Sequence, residues 1–429
     1  MTLSAEPLAP AAPALVDADH WPDVARTPHV PVRAAVARRL LGRIARRRSL
    51  RVELPGGLLL VPAPDSAPTV RLHRPDAFFH RIGESGLIGF GESYQAGDWD
   101  SPDLVALLSE LATAPETLVP TGAQWLRRLY VKRPPATELS TPDNARSNIH
   151  RHYDLSNDLF ALFLDPTLSY SSAVFPTTTG GTPLASWDSL SSAQHRKIDR
   201  LLDLAHVRAG SKVLEIGTGW GELALRAAAR GATVVSLTLS EEQQDLAQRR
   251  IADAGYADRV EVRLCDYRAV QGEFDAVVSV EMIEAVGRPF WPVYFATIDR
   301  VLAPGGRVAL QAITMPHERM LASSGTYTWI LKYIFPGGQI PSLDAIRQST
   351  ARHTGLRVAD CASFGPHYAE TLRLWRERFT ARAEQVDALG FDQVFRRMWE
   401  LYLAYSEAGF AAGYLDVQQI LLTRPEPTR

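Results

Sequence analysis

Two cysteines in 429 residues, Cys265 and Cys361, are too few for a disulfide framework or a cysteine-based zinc site, and they suit a reducing, cytoplasmic setting. Neither sign of charge is in excess: 46 Lys and Arg stand against 48 Asp and Glu, a formal net charge of -2. Such a chain has no global field for nucleic acid, so an anionic partner must meet a local basic patch and no nucleic-acid partner is expected. No run approaches the roughly eighteen apolar residues of a membrane-crossing helix. The Ala/Pro/Asp-containing N-terminus lacks the basic and apolar regions of a secretory signal. Internal repeats are absent too. What is present, 46% hydrophobic and 22% charged residues, can build a sizeable globular core, and the length suggests two domains.

Residues 1–30 are Ala/Pro-rich without periodicity and read as a mobile tail. From Val32 to Arg51 eight arginines alternate with Ala, Val, Leu and Ile, a basic amphipathic helix that is either a solvated face or attracted to anionic lipid headgroups. It opens a small N-terminal α+β domain over residues 31–131, with short strands near Val52, Gly57–Val61 and Val70–Leu72 and helices near Pro75–Ile82 and Asp103–Ala114. Residues 132–148 read as a linker. Beyond it, over 149–429, strand and helix patterns alternate as in a parallel sheet flanked by helices: strands Val213–Ile216, Thr233–Leu237, Val260–Leu264, Ala276–Val280 and Arg307–Ile313. Residues 314–342 wander through Gly, Pro and aromatics, the length and composition of a functional lid. Helices near Ser342–Thr354 and Tyr368–Phe410 precede a last strand, Val417–Leu422.

The chemistry begins at Glu215-Ile216-Gly217-Thr218-Gly219-Trp220-Gly221, a strand, glycine turn and helix that lets backbone approach a nucleotide-like ligand. The spacing is Gly-x-Gly-x-Gly, and Leu237 stands where a dinucleotide site wants a ribose-binding acid, which disfavours NAD. Glu215 at the strand end suits the ammonium of S-adenosylmethionine, Asp266 after the third strand suits its adenine, and Pro304-Gly305-Gly306 before a late strand completes the order. The expected fold class is α/β, a class I S-adenosylmethionine-dependent methyltransferase (Rossmann-like) sheet with a lid insertion, plus the small N-terminal domain. No metal is called for.

Longer segments resemble one family, the cyclopropane-fatty-acyl-phospholipid synthases and their mycolic-acid relatives. His152-Tyr153-Asp154-Leu155-Ser156-Asn157-Asp158 resembles its entry signature, Leu168 to Ala173 (LSYSSA) its next segment, Val278 to Gly287 (VSVEMIEAVG) its catalytic stretch and Trp329 to Pro336 (WILKYIFP) its acyl-channel insertion. The resemblance covers about residues 145–425 and extends more weakly to Gly89–Trp99. It implies donor binding by Tyr170, Ser171, Gly217, Gly219, Thr238, Leu239, Ser240, Gln243, Asp266 and Tyr267, and methylation of a cis double bond in phospholipid acyl chains. An alkene is a weak nucleophile, so such a site must align it with the donor and shelter a carbocation from water. Tyr170, Trp220, Trp329, Tyr333, Phe335 and Phe410 are aromatic candidates for the cation or acyl channel, and each could equally be core.

In the ring-forming relatives a bound bicarbonate, held by a Cys, a Glu, a His, a Tyr and a backbone amide, removes the final proton. By the resemblance Glu284 keeps the Glu and Ile313 the backbone position, while Ser172 replaces the Cys, Gln311 the His and Arg376 the Tyr. A further cysteine falls on Ser406, beside Glu407. Glu284 is therefore expected to be the base or its organiser, with Tyr170 and Glu407 as further catalytic candidates. The changed shell implies a changed product: a 10-methylene branch, as in the tuberculostearic-type members of the family, with cyclopropane formation as the alternative. A methylene would need a separate reductase to become a methyl. A soluble-acceptor methyltransferase and a non-catalytic lipid-binding protein are the competing classes, the first disfavoured by the acyl-channel match and the second by the intact donor turn. A peripheral place on an anionic membrane surface at its cytoplasmic face is expected; a homo-oligomer remains open.

Overall fold

The computed structural model describes residues 16–113, 135, 141, 144 and 156–425. The expected linker and His152 to Leu155 fall mostly or wholly outside these residues. The chain folds as two compact units. The first takes its described residues from Met1–Arg133, Thr326–Lys332 and Arg382–Ala412, the second from Pro134–Gly325, Tyr333–Ala381 and Gly413–Arg429.

In the first unit, strands β1 (Arg51–Glu53), β2 (Leu59–Val61), β3 (Thr69–Leu72) and β4 (Trp99–Asp100) form a sheet in the order β2-β1-β3-β4. The basic helix runs Pro31–Arg48 and buries small residues, Ala34, Ala37, Gly42 and Ala45. Its opposite stripe, Val32, Val36, Arg39, Arg43 and Arg47 at i, i+4, i+7, i+11 and i+15, is exposed.

Residues 16–30 are not a mobile tail. A short helix, Pro22–Ala25, buries Val24, and the buried guanidinium of Arg81 donates to the carbonyls of Asp23 (3.2 Å) and Val24 (2.6 Å) while pairing with Asp98 (3.0 Å). The boundary between units also differs from the sequence expectation. The helix Gln393–Ala411 belongs to the first unit, where Tyr94 donates to Glu400 (3.0 Å) and Arg397 lies over the Tyr94 ring and donates to the Trp99 carbonyl (2.8 Å). A helical period shows that a face is buried, not which core buries it. The lid is divided as well: residues 326–332 join the first unit, and the rest, including the helix His317–Ser323, the second.

The second unit is built on seven strands: β5 (Lys212–Ile216), β6 (Thr233–Thr238), β7 (Val260–Leu264), β8 (Phe274–Val280), β9 (Leu302–Thr314), β10 (Arg357–Ser363) and β11 (Asp416–Thr423). Their order is β10-β11-β9-β8-β5-β6-β7, with β5 to β9 parallel and β11 antiparallel to both its neighbours. This is the α/β methyltransferase sheet. One core packs on each face, around Phe295, Ile298 and Leu310 on one side and Leu201, Ala224 and Val262 on the other. The chain runs outward through β6 and β7 on one side of β5 and through β8 and β9 on the other. That reversal opens a crevice beyond the carboxyl ends of β5 and β8, where open α/β sheets bind ligands.

Candidate active site

β5 ends in the donor turn at this crevice. Gly217 has φ +99°, and a Cβ there would lie 2.5 Å from Met282 Cγ and 2.7 Å from its sulfur, so both conformation and space require glycine. The amides of Gly217 and Thr218 donate to the Leu237 carbonyl at 3.0 Å, tying the turn to the end of β6. Gly221 then opens the helix Glu222–Ala229.

The cavity here is lined by Tyr170, Ser171, Glu215, Gly217, Gly219, Thr238, Leu239, Gln243 and Tyr267, nine of the eleven expected donor positions. Ser240 is buried instead as the cap of the helix Glu241–Asp253, its hydroxyl accepting from the Gln243 amide (3.1 Å). Asp266 does not line the cavity either, because the Arg268 guanidinium takes both its carboxylate oxygens (2.8 and 2.6 Å). Glu215 is buried and accepts from Ser236 (2.5 Å), which also bonds Thr218 (2.7 Å). Burial pushes its pKa up to about 8, against the opposing pull of Ser236 and Lys197.

Lys197 was not foreseen. It is among the residues lining the cavity, and its ammonium donates to Ser171 Oγ (2.6 Å); burial draws its pKa down to about 8, while the carboxylates of Glu281, Asp165 and Glu215 hold it up. A signal was present: Gln194 and Lys197 interrupt the buried stripe Leu190, Ala193, Ile198 and Leu201 of the helix Trp187–Leu204. The cavity fits a zwitterionic donor carrying a ribose and a base. The buried Tyr267 hydroxyl has no hydrogen-bond partner among the described residues, and a Cβ on Gly219 would point into open space.

Across the crevice, just past β8, stands a second unforeseen residue. Glu281 lines the cavity with φ +52°, an unusual backbone for a residue with a side chain. Its Oε1 accepts from the Ser172 amide (2.9 Å) and Gln311 Nε2 (2.8 Å), and its Oε2 from the Tyr368 hydroxyl (2.7 Å). Burial raises its pKa, and the Tyr368 and Gln311 hydrogen bonds oppose that rise. Of the expected anion shell, Gln311 by its side chain and Ser172 by its backbone amide meet on Glu281, the Ser172 hydroxyl donating to the Ala173 carbonyl (3.1 Å), and a phenol joins them. That phenol is Tyr368; Arg376 lies eight residues further along the same helix, Gly365–Ala381, a displacement of about 12 Å at 1.5 Å per residue.

Glu284 lies at the start of the short helix Ile283–Val286 and is not among the residues lining the cavity. One carboxylate oxygen accepts from the Ile313 amide, and the other is buried without a partner among the described residues. Burial, then the charge of Glu281, raises its pKa to about 8.

Aromatic faces adjoin the donor cavity. Tyr170 stacks on Trp375 (5.3 Å between centroids) and meets Phe160 edge-on (5.1 Å), and Trp220, held by Asn157 (2.7 Å), packs on Phe160 (5.0 Å). Of the expected acyl-channel residues, half-buried Tyr333 and Phe335 belong to this unit, and the turn they enter is pinned by Gln339 donating to the Glu284 carbonyl (2.8 Å). Trp329 and Phe410 belong to the first unit, as does Glu407. Trp329 packs on Gly91, where a Cβ would meet the indole at 2.3 Å, and donates to Gln95 (2.7 Å), so its ring is committed to that unit's core. Glu407 and Phe410 are buried on the helix Gln393–Ala411, and neither lines the donor cavity.

A profile of the family described as mycolic acid cyclopropane synthetase matches residues 140–420. The chain is similar to the tuberculostearic acid methyltransferase UfaA1 of Mycobacterium tuberculosis, 57% identical over 417 residues that cover 96% of this chain and 97% of that protein. It is 35% identical to the cyclopropane-fatty-acyl-phospholipid synthase of Escherichia coli K12 over 84% of this chain and 89% of the other. The solved structure of mycolic acid cyclopropane synthase CmaA1, complexed with SAH and CTAB, matches with a TM-score of 0.58 at 32% identity, covering 65% of this chain and 97% of that one.

Proposed function

Because the chain belongs to the mycolic acid cyclopropane synthetase family, we propose that it methylates the cis double bond of an unsaturated phospholipid acyl chain and releases a 10-methylene-branched chain. It is an S-adenosylmethionine-dependent enzyme of fatty acyl methylation. The donor supplies an electrophilic methyl group. Glu215 and the Lys197–Ser171 pair are placed to hold its amino-acid end, and the glycine turn admits the rest.

The observation that carries the reading is one cavity lined by the donor turn, by Tyr170, whose ring is stacked on Trp375, and by the carboxylate-bearing residues Glu215 and Glu281. Methylation of one olefinic carbon leaves a secondary cation on its neighbour. A 1,2-hydride shift moves the charge to the methylated carbon, now tertiary, and proton loss from the new methyl leaves the methylene. Aromatic faces stabilise such charge and exclude the water that would capture it. The nearly full-length similarity to a tuberculostearic acid methyltransferase favours the branched product over the ring. Reduction to a methyl branch falls to a separate reductase.

Among the described residues no helix is long and apolar enough to cross a membrane. The exposed stripe of Val32, Val36, Arg39, Arg43 and Arg47 gives the enzyme a peripheral seat on the anionic, cytoplasmic face of the membrane that holds its substrate. Purified protein incubated with monounsaturated anionic vesicles and methyl-labelled donor tests both parts. Label should enter the acyl chains with the NMR olefinic signals of an exocyclic methylene. High-field ring protons would show a cyclopropane instead, and unlabelled chains would sink the proposal.

A further inference from the structure

Resting on that function, we infer that Glu281 is the catalytic base, taking the proton whose loss creates the methylene. Three observations converge on it. Glu281 is among the residues that line the donor cavity, whereas Glu284 is not. The Glu281 backbone is held at φ +52°, a conformation unfavourable for a non-glycine residue that survives where surrounding structure enforces it, as at functional sites. And donors from three distant segments, Ser172, Gln311 and Tyr368, meet on its carboxylate.

The orientation of that shell can be read from its donors. Arg200, an obligate donor, meets Gln419 Oε1 (3.3 Å), so Gln419 Nε2 faces Gln311 Oε1 (3.1 Å), and Gln311 Nε2 in turn faces Glu281 Oε1 (2.8 Å). Together with the Ser172 amide, this gives Oε1 two donors that cannot become acceptors. A proton must therefore settle on Oε2, opposite Tyr368, whose hydroxyl can rotate from donating to accepting. In the step, a C–H bond of the transferred methyl breaks, its electron pair becomes the new C=C bond to the cationic carbon, and the proton forms an O–H bond at Glu281 Oε2. Glu284, which receives the Ile313 amide and its own and keeps a buried oxygen without a partner among the described residues, is the positioning neighbour.

The test uses the full-length chain carrying Glu281→Gln, Glu281→Ala or Glu284→Gln, assayed for acyl methylation, donor affinity and binding of carbon-13-labelled formate by NMR. Glu281→Gln should lose about a hundredfold or more in turnover, the usual worth of a general base, with donor affinity within about threefold of wild type. Glu281→Ala should bind formate, which wild type does not, and regain about tenfold of its lost turnover with it; Glu284→Gln should stay within about tenfold of wild type. Near-wild-type turnover by Glu281→Gln would overturn the assignment. Joint loss of turnover and donor binding would do so too, by making Glu281 a structural support. A wild-type protein that labels no acyl chain refutes the proposed function alone. Formate binding confined to Glu281→Ala would then still uphold the carboxylate seat, and its absence would overturn it.

Discussion

Donor affinity should rise by about a decade per pH unit between pH 6 and 7.5, and Glu215→Gln should abolish that slope. Burial holds Glu215 neutral, with its pKa raised from 4.5 to about 8. To pair with the ammonium of the donor it must give up its proton, so the observed affinity contains the cost of ionising it. At pH 6, two units below 8, that cost is about 2.7 kcal/mol at ~1.36 kcal/mol per unit, roughly a hundredfold in affinity, and at pH 7 roughly tenfold. Lys197, drawn down to about 8, keeps its charge over this window and loses it only above. The free protein should show the complementary trend. With the folded pKa raised, stability from neutral Glu215 is full below about 4.5 and is lost as pH rises through about 8. Calorimetric titration in two buffers of different ionisation enthalpy would count the proton released, close to one per donor at pH 6.5. A flat affinity over the window, or the same slope in Glu215→Gln, would refute the assignment of Glu215 to the ammonium.

Two structural perturbations should act through separate units. Gly217→Ala forces a Cβ onto Met282 at a φ of +99°; left-handed backbone at about 1–2 kcal/mol and overpacking at about 1–3 together predict a loss of about 2–5 kcal/mol with donor binding abolished. Urea unfolding and donor titration would check it, and Met282→Ala added to it should recover the steric part alone. In the first unit, Lys332 bridges Glu92 (2.5 Å) and Asp23 (2.6 Å), with the Glu92 side chain only 8% exposed. Lys332→Met should cost about 3 kcal/mol, the low end for removing one partner of a buried pair. Glu92→Gln in the same chain should restore most of it, as read from urea midpoints.

Where the fold was legible, one local rule decided it. β5, β6 and β8 are apolar runs (KVLEI, TVVSLT, FDAVVSV) because parallel strands covered on both faces bury nearly every side chain. β10 escaped notice because RVADCAS lies at the sheet edge, exposed or half-buried along its length, and owes its strand form to pairing with β11. The membership of Gln393–Ala411 in the first unit rests on partners some 300 residues away, Tyr94 and Trp99. At the site, the glycine turn and most donor positions follow from chain order. The assignment of the shell phenol to Arg376 instead of Tyr368 shows how a slip of two helical turns changes the chemistry inferred. Glu281 looked like one acid among others in a motif. Only the fold shows that Ser172, Gln311 and Tyr368 meet on it.

Burial raises the pKa of both neighbouring carboxylates, and they differ in hydrogen-bond supply. Glu281 receives three donors, and each favours its charged form; Glu284 receives the Ile313 amide and its own, and is further penalised by the charge beside it. The carboxylate with fewer donors is thus the one outside the cavity lining, and the better-supplied one belongs to it. That division suits a reaction in which positive charge moves within a dry cavity without leaving it. On the proposed mechanism, a cation formed on hydrocarbon beside Tyr170 would meet a carboxylate already fixed by its donors, so little reorganisation would accompany its formation. It also accounts for an amide at Gln311. A side chain there able to lose its proton could leave Oε1 without one of its two donors, whereas the Arg200–Gln419–Gln311 relay keeps Oε1 satisfied and Oε2 as the acceptor.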